Sequence, residues 1–509
     1  MTSEGPGGPV SSTLETSVPE KTFFGHPRGL ATLFMTEMWE RFSFYGLRAI
    51  LVLFLVASPA AGGLGLTDQT AAALVGIYGA FVYLVALPGG WIADRILGAR
   101  RAVLCGGVVI MCGHISMAIP VGGAGFVWLG LTLIILGTGL LKPNMPTMVG
   151  RLYPGDQAAR RDAGFSIFYL GINIGAFIAP YVVGTLASGD RWHLGFGAAA
   201  VGMAFGLARY ILGGRHLGDA GTRPGHRLTG LERRRFTRIA VMCPAVVVVA
   251  MLAWTATGTY TLDRLTTALT IAIVLVPVGY FGYMLLGGHD LTPGERSGLL
   301  AYIWLFVAAA IFWMIYDLAP SVLNLFAEKR TDLSLFGIDI QASTTQSFNP
   351  LFILIFVPVF AWLWVKLGDR VNVTQKFAFA LVVIGLSFVV MSVAATAAET
   401  GKISIWWLVA VYLIQVFGEL SISPVGLSIT TQLAPRAFRS QMLGVWYLSF
   451  AVGDAVGGQT LRLQNHVSEA TYYLLLALIA IAAGLALLML SRRLRALLHT
   501  SDAQGVRAA

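Results

Sequence analysis

The stretch 37–48 places charged side chains inside an apolar run that is long enough to cross a membrane. On a helix with 3.6 residues per turn, Glu37, Glu40, Arg41 and Arg48 fall on one face together with Tyr45. Each charge near the centre of a bilayer costs about 2.5–3.5 kcal/mol on insertion scales, so this face must be turned toward protein or water. The protonation of each carboxyl there depends on which cation is near. The stretch therefore predicts a helix that lines a polar cavity crossing a membrane.

The composition of the chain is that of a polytopic membrane protein. Of its 509 residues 56% are hydrophobic and only 12% are charged, whereas soluble domains carry roughly 25% charged residues. The net charge of +10 does not indicate a nucleic-acid partner, because the basic residues lie in short loops between apolar runs. The three cysteines show no metal-ligand spacing. We therefore expect a lipid bilayer around the chain, and neither nucleic acid nor a metal site.

Fourteen apolar windows are long enough to span a bilayer. They cover residues 29–57, 70–93, 101–121, 123–147, 163–186, 194–213, 237–257, 265–287, 298–318, 347–367, 375–396, 404–428, 440–461 and 470–491. Lys and Arg concentrate in the even-numbered loops, in the linker after the sixth span and after the last span. Such asymmetry predicts a multi-pass protein with both termini in the cytoplasm.

The seventh and eighth spans differ from the others, because they follow a basic linker and carry no internal charge and no polar face. We interpret them as an insertion between two six-helix halves. The predicted organisation is a disordered cytoplasmic tail at 1–27, an N-terminal six-helix bundle at 28–214, a basic cytoplasmic linker at 215–236, an inserted two-helix hairpin with its linker at 237–296, a C-terminal six-helix bundle at 297–495 and a cytoplasmic tail at 496–509.

A short motif supports this division into halves. The stretch 89–101 follows the second span, and a related stretch at 364–370 follows the corresponding span of the second half. The first of them resembles the loop motif of the major facilitator superfamily. The residues that carry the resemblance are Gly89, Asp94, Arg95, Gly98, Arg100 and Arg101. It implies an all-α major facilitator fold with 12 transmembrane helices in two halves, to which two inserted helices are added here.

Longer motifs resemble one family in particular, the proton-dependent oligopeptide transporters. The stretches 37–45, 165–177 and 417–427 are similar to that family's signatures in its first, fifth and tenth helices. Lys142-Pro143-Asn144, residues 346–350 and residues 444–446 fit its fourth, eighth and eleventh helices. The resemblance extends from about residue 25 to about residue 465, and an inserted hairpin is typical of bacterial members.

This resemblance implies a proton-coupling group. In the family, the acids and the arginine of the first helix, here Glu37, Glu40 and Arg41, pair with the lysine of the fourth helix, here Lys142. Asp317 falls where the family carries an acid that pairs with a first-helix arginine, here Arg48. That pair is expected to close the outward gate and to exchange protons.

The resemblance also implies how a peptide is held. Cations meet its carboxylate, and an acid with two asparagines meets its ammonium group, while aromatic side chains line the space for its own side chains. The implied substrate-binding residues are Tyr45, Arg48, Tyr78, Lys142, Asn173, Trp313, Asn349, Glu419 and Trp446.

The function implied is that of a monomeric proton-coupled symporter in the cytoplasmic (inner) membrane. It imports di- and tripeptides by alternating access, with the proton as coupling ion and with no other cofactor. Phe44, the stretch 316–320 and Asp454 depart from the family pattern. They leave open a proton-driven transporter that is specialised for a peptide-like drug or natural product, or for a non-peptide solute.

Structural interpretations of the same residues also remain open. Glu37, Glu40 and Arg41 can form a salt bridge that merely locks two helices, and Asn173 and Asn349 can join helices by hydrogen bonds. Lys142 and Arg48 can extend toward the membrane surface. An enzyme is disfavoured because the sequence contains no catalytic triad, zinc motif or phosphate-binding loop. A permanently open channel is disfavoured by the repeated halves with paired charges.

Overall fold

The structure is a computed structural model that describes residues 23–120, 123–153, 158–224, 229–287, 291–438 and 441–505. Most of the tail predicted at 1–27 therefore lies outside the described residues. The helices are α1 (Arg28–Val56), α2 (Asp68–Leu84), α3 (Ala86–Ile92), α4 (Ala99–Ala118), α5 (Gly123–Leu141), α6 (Asn144–Gly150), α7 (Ala158–Ala187), α8 (Trp192–Leu212), α9 (Gly230–Ala256), α10 (Leu262–Leu286), α11 (Pro293–Tyr316), α12 (Asn324–Arg330), α13 (Phe348–Leu367), α14 (Val373–Ala397), α15 (Trp406–Gln432), α16 (Met442–Thr460) and α17 (Glu469–Gly505).

Four very short strands join the ends of helices. Strands β1 (Thr331–Asp332) and β4 (Ile403–Ser404) pair in parallel, and β2 (Ser334–Leu335) pairs antiparallel with β3 (Ile338–Asp339). These strands mark the side of the bundle that we call distal. The opposite side, where α1 begins and α17 ends, is called proximal.

Within the described ranges, twelve helical segments are long and apolar enough to cross a membrane. Helices α1 and α16 complete the predicted set of fourteen. Helix α1 is less apolar than those twelve segments because it carries the charges of the stretch 37–48. Helix α16 is less apolar because it contains several glycines, Asp454 and Gln459. The prediction of an all-α polytopic protein is confirmed.

Two six-helix halves form the core of the molecule. In the first, α1 packs on α7 and α8, and α4 packs on α5 and α8; in the second, α14 packs on α15 and α17, and α11 packs on α16 and α17. The halves meet where α2 packs along α16 and where α7 meets α13. Gly76 and Gly458 permit the first of these contacts, because a methyl group on either would collide with backbone of the other helix.

The inserted hairpin lies against one edge of this core. Helix α10 packs on α2 and α16, while the apolar part of α9 has no buried residue. The expectation that the hairpin has no polar face is wrong for α10. Thr270 Oγ1 donates to the Ala455 carbonyl at 3.3 Å, and Asp263 forms an ion pair with Arg462 at 3.0 Å. Three threonines and this acid attach α10 to the second half.

Two boundaries differ from those expected from the sequence. Helix α9 begins at Gly230, inside the stretch predicted as a linker, because Thr229 and Glu232 form a capping box there. Helix α17 continues to Gly505, through most of the stretch predicted as a tail.

Candidate functional site

The charged face of α1 is present, and its first three charges compensate one another. Arg41 Nε lies 3.1 Å from Glu37 and 2.5 Å from Glu40. All three residues are at most 5% exposed. The spacing of one helical turn brings Glu37 and Arg41 together, so this group needs no other helix to form. Glu37 Oε2 and Arg41 Nη2 make no hydrogen bond to any described residue.

Arg48 lies further along the same helix and pairs with the other half of the molecule. Its Nη2 atom donates to Asp317 Oδ1 at 3.1 Å. Asp317 follows directly after α11, where a π-helical turn that contains Pro320 interrupts the ninth span. The side chain can reach α1 because the regular helix ends at this point.

A cavity of about 290 Å³ lies between the two halves. Nine of the sequence-predicted residues line it, namely Arg41, Tyr45, Arg48, Lys142, Asn173, Trp313, Asp317, Asn349 and Glu419. Glu37 and Glu40 lie behind Arg41 and do not line the wall. A small cavity with a few convergent polar groups is the usual form of a ligand site.

Lys142 does not make the contact that was expected of it. Among the described residues it has no ion pair, and its Nζ atom lies 3.6 Å from the centre of the Tyr83 ring. Helix α5 ends at Leu141, and the turn at Pro143 directs the lysine toward α2. The expected pairing of Lys142 with the acids of the first helix is therefore absent from this state of the protein, and the ammonium group is held by a cation–π contact instead.

The opposite wall of the cavity carries an acid. The Tyr316 hydroxyl donates a hydrogen bond to Glu419 Oε2, and Asn349 lines the same cavity. Asn173 donates to the Tyr169 carbonyl at 3.0 Å, one turn earlier in α7. Glu419 has no ion pair with a described cation, so its charge faces the cavity.

Two of the predicted substrate-binding residues do not line the cavity. Tyr78 is 3% exposed and stacks on Phe44, and Trp446 is 3% exposed and packs against Phe377 and Phe450. Their predicted contact with substrate stays a prediction. Tyr447 follows Trp446 by one residue and Tyr83 follows Tyr78 by five, which rotates the side chain around the helix by about 100° and about 140°. The neighbouring aromatic residues Tyr83, Tyr447 and Phe450 line the wall in their place.

Further lining residues escaped the sequence reasoning. They are Tyr169, Tyr316, Gln346, Tyr412, Gln415 and Ser423. Helical spacing could have predicted three of them, Tyr412, Gln415 and Ser423, because they lie on the same face of the helix as Glu419.

The loop motif lies on the proximal side, away from the cavity. A methyl group at Gly89 would collide with the Gly139 carbonyl, and Gly98 has a φ of 78°, which favours glycine. Arg100 donates to the Gly214 and Gly218 carbonyls, both at 2.8 Å. The motif therefore joins the second and third spans to the loop after α8.

The remaining charges of the motif are less tightly held. Arg95 pairs at 3.5 Å with Glu232 of α9, and both side chains are more than a third exposed. Asp94 and Arg101 are exposed, and neither has an ion pair with a described residue.

Of the three departures from the family pattern, the stretch 316–320 lines the cavity, whereas Phe44 and Asp454 do not. Phe44 does not line the cavity; its ring lies under Arg41 and Arg48, at 5.1 and 5.6 Å. The stretch 316–320 does form wall, through Tyr316, Asp317, Ala319 and Pro320. Asp454 is buried where α16 meets α2.

The cavity is closed on its distal side. Besides the Arg48–Asp317 pair, Asn324 and Gln346 donate to the Ala49 carbonyl at 2.7 and 3.4 Å. Ser347 donates to the Phe177 carbonyl at 2.8 Å. These contacts, which we call the distal gate, all join one half to the other. Tyr169, on the wall nearer the proximal side, is 40% exposed.

Charge around the cavity is not balanced if every group is ionised. Among the described residues, three cations and five carboxyls lie in or beside the cavity. The cations are Arg41, Arg48 and Lys142, and the carboxyls are those of Glu37, Glu40, Asp317, Glu419 and Asp454. A buried excess of negative charge is costly, and protonation relieves it. The site can therefore bind both a cationic group and protons.

Comparisons with known proteins agree with this architecture. A model of the POT family matches residues 100–482. The uncharacterized transporter YclF of Bacillus subtilis (strain 168) is 45% identical over 94% of this chain and 97% of its own. The di-/tripeptide transporter of Lactococcus lactis subsp. lactis (strain IL1403) is 42% identical over 93% of this chain and 97% of its own.

A solved structure extends the likeness to the fold. A crystal structure of a mutant of peptide transporter POT, in complex with alafosfalin, superposes with a TM-score of 0.88 at 46% identity. The match covers 94% of this chain and 97% of the other. The major facilitator fold and the family that the sequence resembled are both confirmed, and the chain belongs to the POT family.

Proposed function

We propose that this protein is a proton-coupled symporter that imports di- and tripeptides by alternating access. The observation that carries the proposal is the opposition of charge across the cavity. Arg48 and Lys142 lie on one wall and Glu419 lies on the other. A short peptide carries a carboxylate and an ammonium group at its two ends, so it matches this arrangement whatever its side chains are.

The two ends of the peptide would be held by different kinds of contact. Lys142 has no ion pair in the described structure and exchanges its contact with the Tyr83 ring for one with the peptide carboxylate. Glu419, Asn349 and Asn173 accept the ammonium group. The cavity volume of about 290 Å³ lies at the lower end of the range for ligand pockets and favours small solutes.

Proton coupling follows from competition for the same cations. A peptide carboxylate that draws Lys142 or Arg48 to itself leaves a protein carboxyl without compensation, which favours its protonation. Peptide and proton then bind with a positive coupling free energy. An inward proton current supplies about 2.3 kcal/mol per 100 mV of membrane potential, plus the pH gradient.

Alternating access requires the distal gate to open and close. The gate joins the two halves through the Arg48–Asp317 pair and three hydrogen bonds, all of which must separate when the halves rock apart. The loop basicity supports a proximal side that faces the cytoplasm, and we propose a monomer in the inner membrane with the proton as its coupling ion.

A specialised solute remains the second candidate. The observation that favours it is that the stretch 316–320, which replaces a more polar run usual in the family, forms part of the cavity wall. A panel of dipeptides that competes with uptake of dialanine supports a broad peptide transporter. Indifference to most of the panel supports a specialised one.

The decisive experiment is uptake of radiolabelled dialanine into proteoliposomes with an imposed inward proton gradient. We expect accumulation that collapses when a protonophore is added, while exchange of internal for external peptide continues. Accumulation that ignores the protonophore contradicts the coupling. Empty liposomes and liposomes with the Lys142→Ala variant are the matched controls.

A further inference from the structure

Asp454 is a buried acid at the boundary between the two halves that the mechanism above does not use. It lies in α16, it is 3% exposed, and neither of its oxygens accepts a hydrogen bond from a described residue. Its carboxyl occupies the space above Gly79 of α2, where a methyl group would collide with Asp454 Oδ2. The acid is thus pressed against the first half, which offers it no donor at this point.

The charged groups around Asp454 come from several helices. Asp317 lies close to it, because Met314 and Leu318, which flank Asp317 in the chain, pack against Gly453 and Gly457 of α16, which flank Asp454. Arg48, which pairs with Asp317, and Lys142, which lies on the Tyr83 ring, are cations on this side of the cavity. Tyr83 of α2 lines the cavity together with Asp317. Arg48 already donates to Asp317 at 3.1 Å.

Helix α10 also packs on α16, and its contacts next to Asp454 are made by uncharged groups. Thr270 donates to the Ala455 carbonyl, and Gln459 donates to Thr270 at 3.0 Å. Asp317 therefore has an ion pair with Arg48, whereas Asp454 has no ion pair or hydrogen bond with a described residue.

Two buried carboxylates that lie close together repel each other, and the one without an ion pair is the one whose charge a proton relieves. We propose that Asp454 carries a proton when the distal gate is closed. The resulting O–H group donates a hydrogen bond to the Asp317 carboxylate. Closure of the gate then takes up one proton from the distal side, because separation of α2 from α16 returns Asp454 to water as an ordinary carboxylate. This inference rests on the proposed alternation of the two halves, and it adds a proton-binding residue to it.

The path of the proton is short. It binds to the Asp454 carboxylate as the gate closes, forming the O–H that donates to Asp317. It leaves by transfer to Asp317, which lines the cavity. No other reactant is needed. An asparagine at 454 supplies a permanent N–H donor, so closure there needs no proton.

The test measures closure of the gate directly, in the absence of peptide. Spin labels are placed at Ala60 and Thr400, two exposed residues on the distal side of opposite halves, after the native cysteines are replaced. Electron–electron distance measurements on the purified protein in detergent or nanodiscs then give the closed fraction as a function of pH.

For the labelled protein we expect the ratio of closed to open molecules to rise at least about threefold from about pH 8 to about pH 5, because proton uptake is linked to closure. For Asp454→Asn we expect the closed fraction to be high and nearly constant over this range. Asp454→Ser, a second neutral donor, should behave in the same way if asparagine impairs folding. The matched control is Asp263→Asn, which removes another acid of the distal side, one that pairs with Arg462. This variant should keep the pH dependence.

The inference is overturned if closure of the labelled protein does not respond to pH, or if Asp454→Asn responds as strongly as the unsubstituted residue does. Neither result depends on which solute is carried, since no solute is present. Failure of dialanine uptake would count against the proposed function alone.

Discussion

Two groups of charges on the same helix α1 differ in what they connect. Glu37, Glu40 and Arg41 are joined within one helix, so their distances do not change when the halves move as rigid bodies. Arg48, two turns further on, is joined to Asp317 in the other half, and this pair must break whenever the distal gate opens. The comparison separates charges whose contacts stay within one helix from charges whose contacts depend on the position of the halves.

The difference also predicts which group tolerates a neutral substitution. Breaking a buried ion pair leaves an uncompensated charge, and in a rigid protein this costs about 3–5 kcal/mol. Opening of the distal gate separates Arg48 from Asp317 and exposes both to water, so this pair is already broken during each transport cycle. We therefore expect substitutions there to alter the coupling of transport more than the stability of the fold.

The largest expected effect is that of Asp317→Asn. Proton-driven uptake of dialanine should fall by about 100-fold, because the gate loses its ion pair, whereas peptide exchange without a gradient should stay within about threefold of wild type. Parallel driven-uptake and counterflow assays on the same proteoliposomes measure this. An equal loss in both assays would mean that the pair is structural.

Glu40→Gln tests the group within α1. Driven uptake should fall by about 30-fold, and the midpoint of thermal unfolding should also drop, because Arg41 loses its nearest buried partner. Glu37→Gln, which removes the longer of the two contacts, should show the same pattern more weakly. If neither variant is destabilised, the distinction between the two groups on α1 is not valid.

Glu419→Gln should change recognition without changing the gate. Loss of one charged contact to the ammonium group should reduce the binding free energy of dialanine by about 1.4 kcal/mol, which corresponds to an affinity about tenfold lower. An N-acetylated dipeptide has no ammonium group, and its weaker binding should be unaffected. Binding is read by ligand-induced shifts in thermal unfolding, and an equal loss for both ligands would contradict the assignment of Glu419.

The smallest effect is expected for a second ion pair that also spans the halves. Lys329 lies 2.5 Å from Asp68, but the side chains are 50% and 34% exposed. Exposed pairs contribute about 0–1 kcal/mol, so Asp68→Asn should change driven uptake by less than about threefold. A large loss would show that spanning the halves matters more than burial does, and would remove the contrast with Asp317.

Some of the site was readable from periodicity. The face of α1 follows from residue spacing alone, since the contact between Glu37 and Arg41 is made within one helix. Gln415 and Ser423 were equally readable, because they repeat the position of Glu419 by one turn in each direction. Helical spacing carries this information because it needs no partner to define it.

Other residues were not readable in this way. Tyr78 and Tyr83 are both aromatic residues of α2, and only the packing of α2 against α5 and α16 decides that Tyr83 contacts Lys142. The partner of Lys142 also depends on the conformational state, which no pattern in the chain specifies.

The chain by itself determined the number of spans, the inserted hairpin and the residues that carry charge into the membrane, because hydropathy and helical period are local properties. Only the tertiary structure decided which charges meet. Asp317 reaches Arg48 because α11 ends beside α1, and Asp454 lies close to Asp317 because α16 packs on α11. Electrostatic energy depends on distances between helices that are far apart in the sequence, and those distances exist only after the halves have packed.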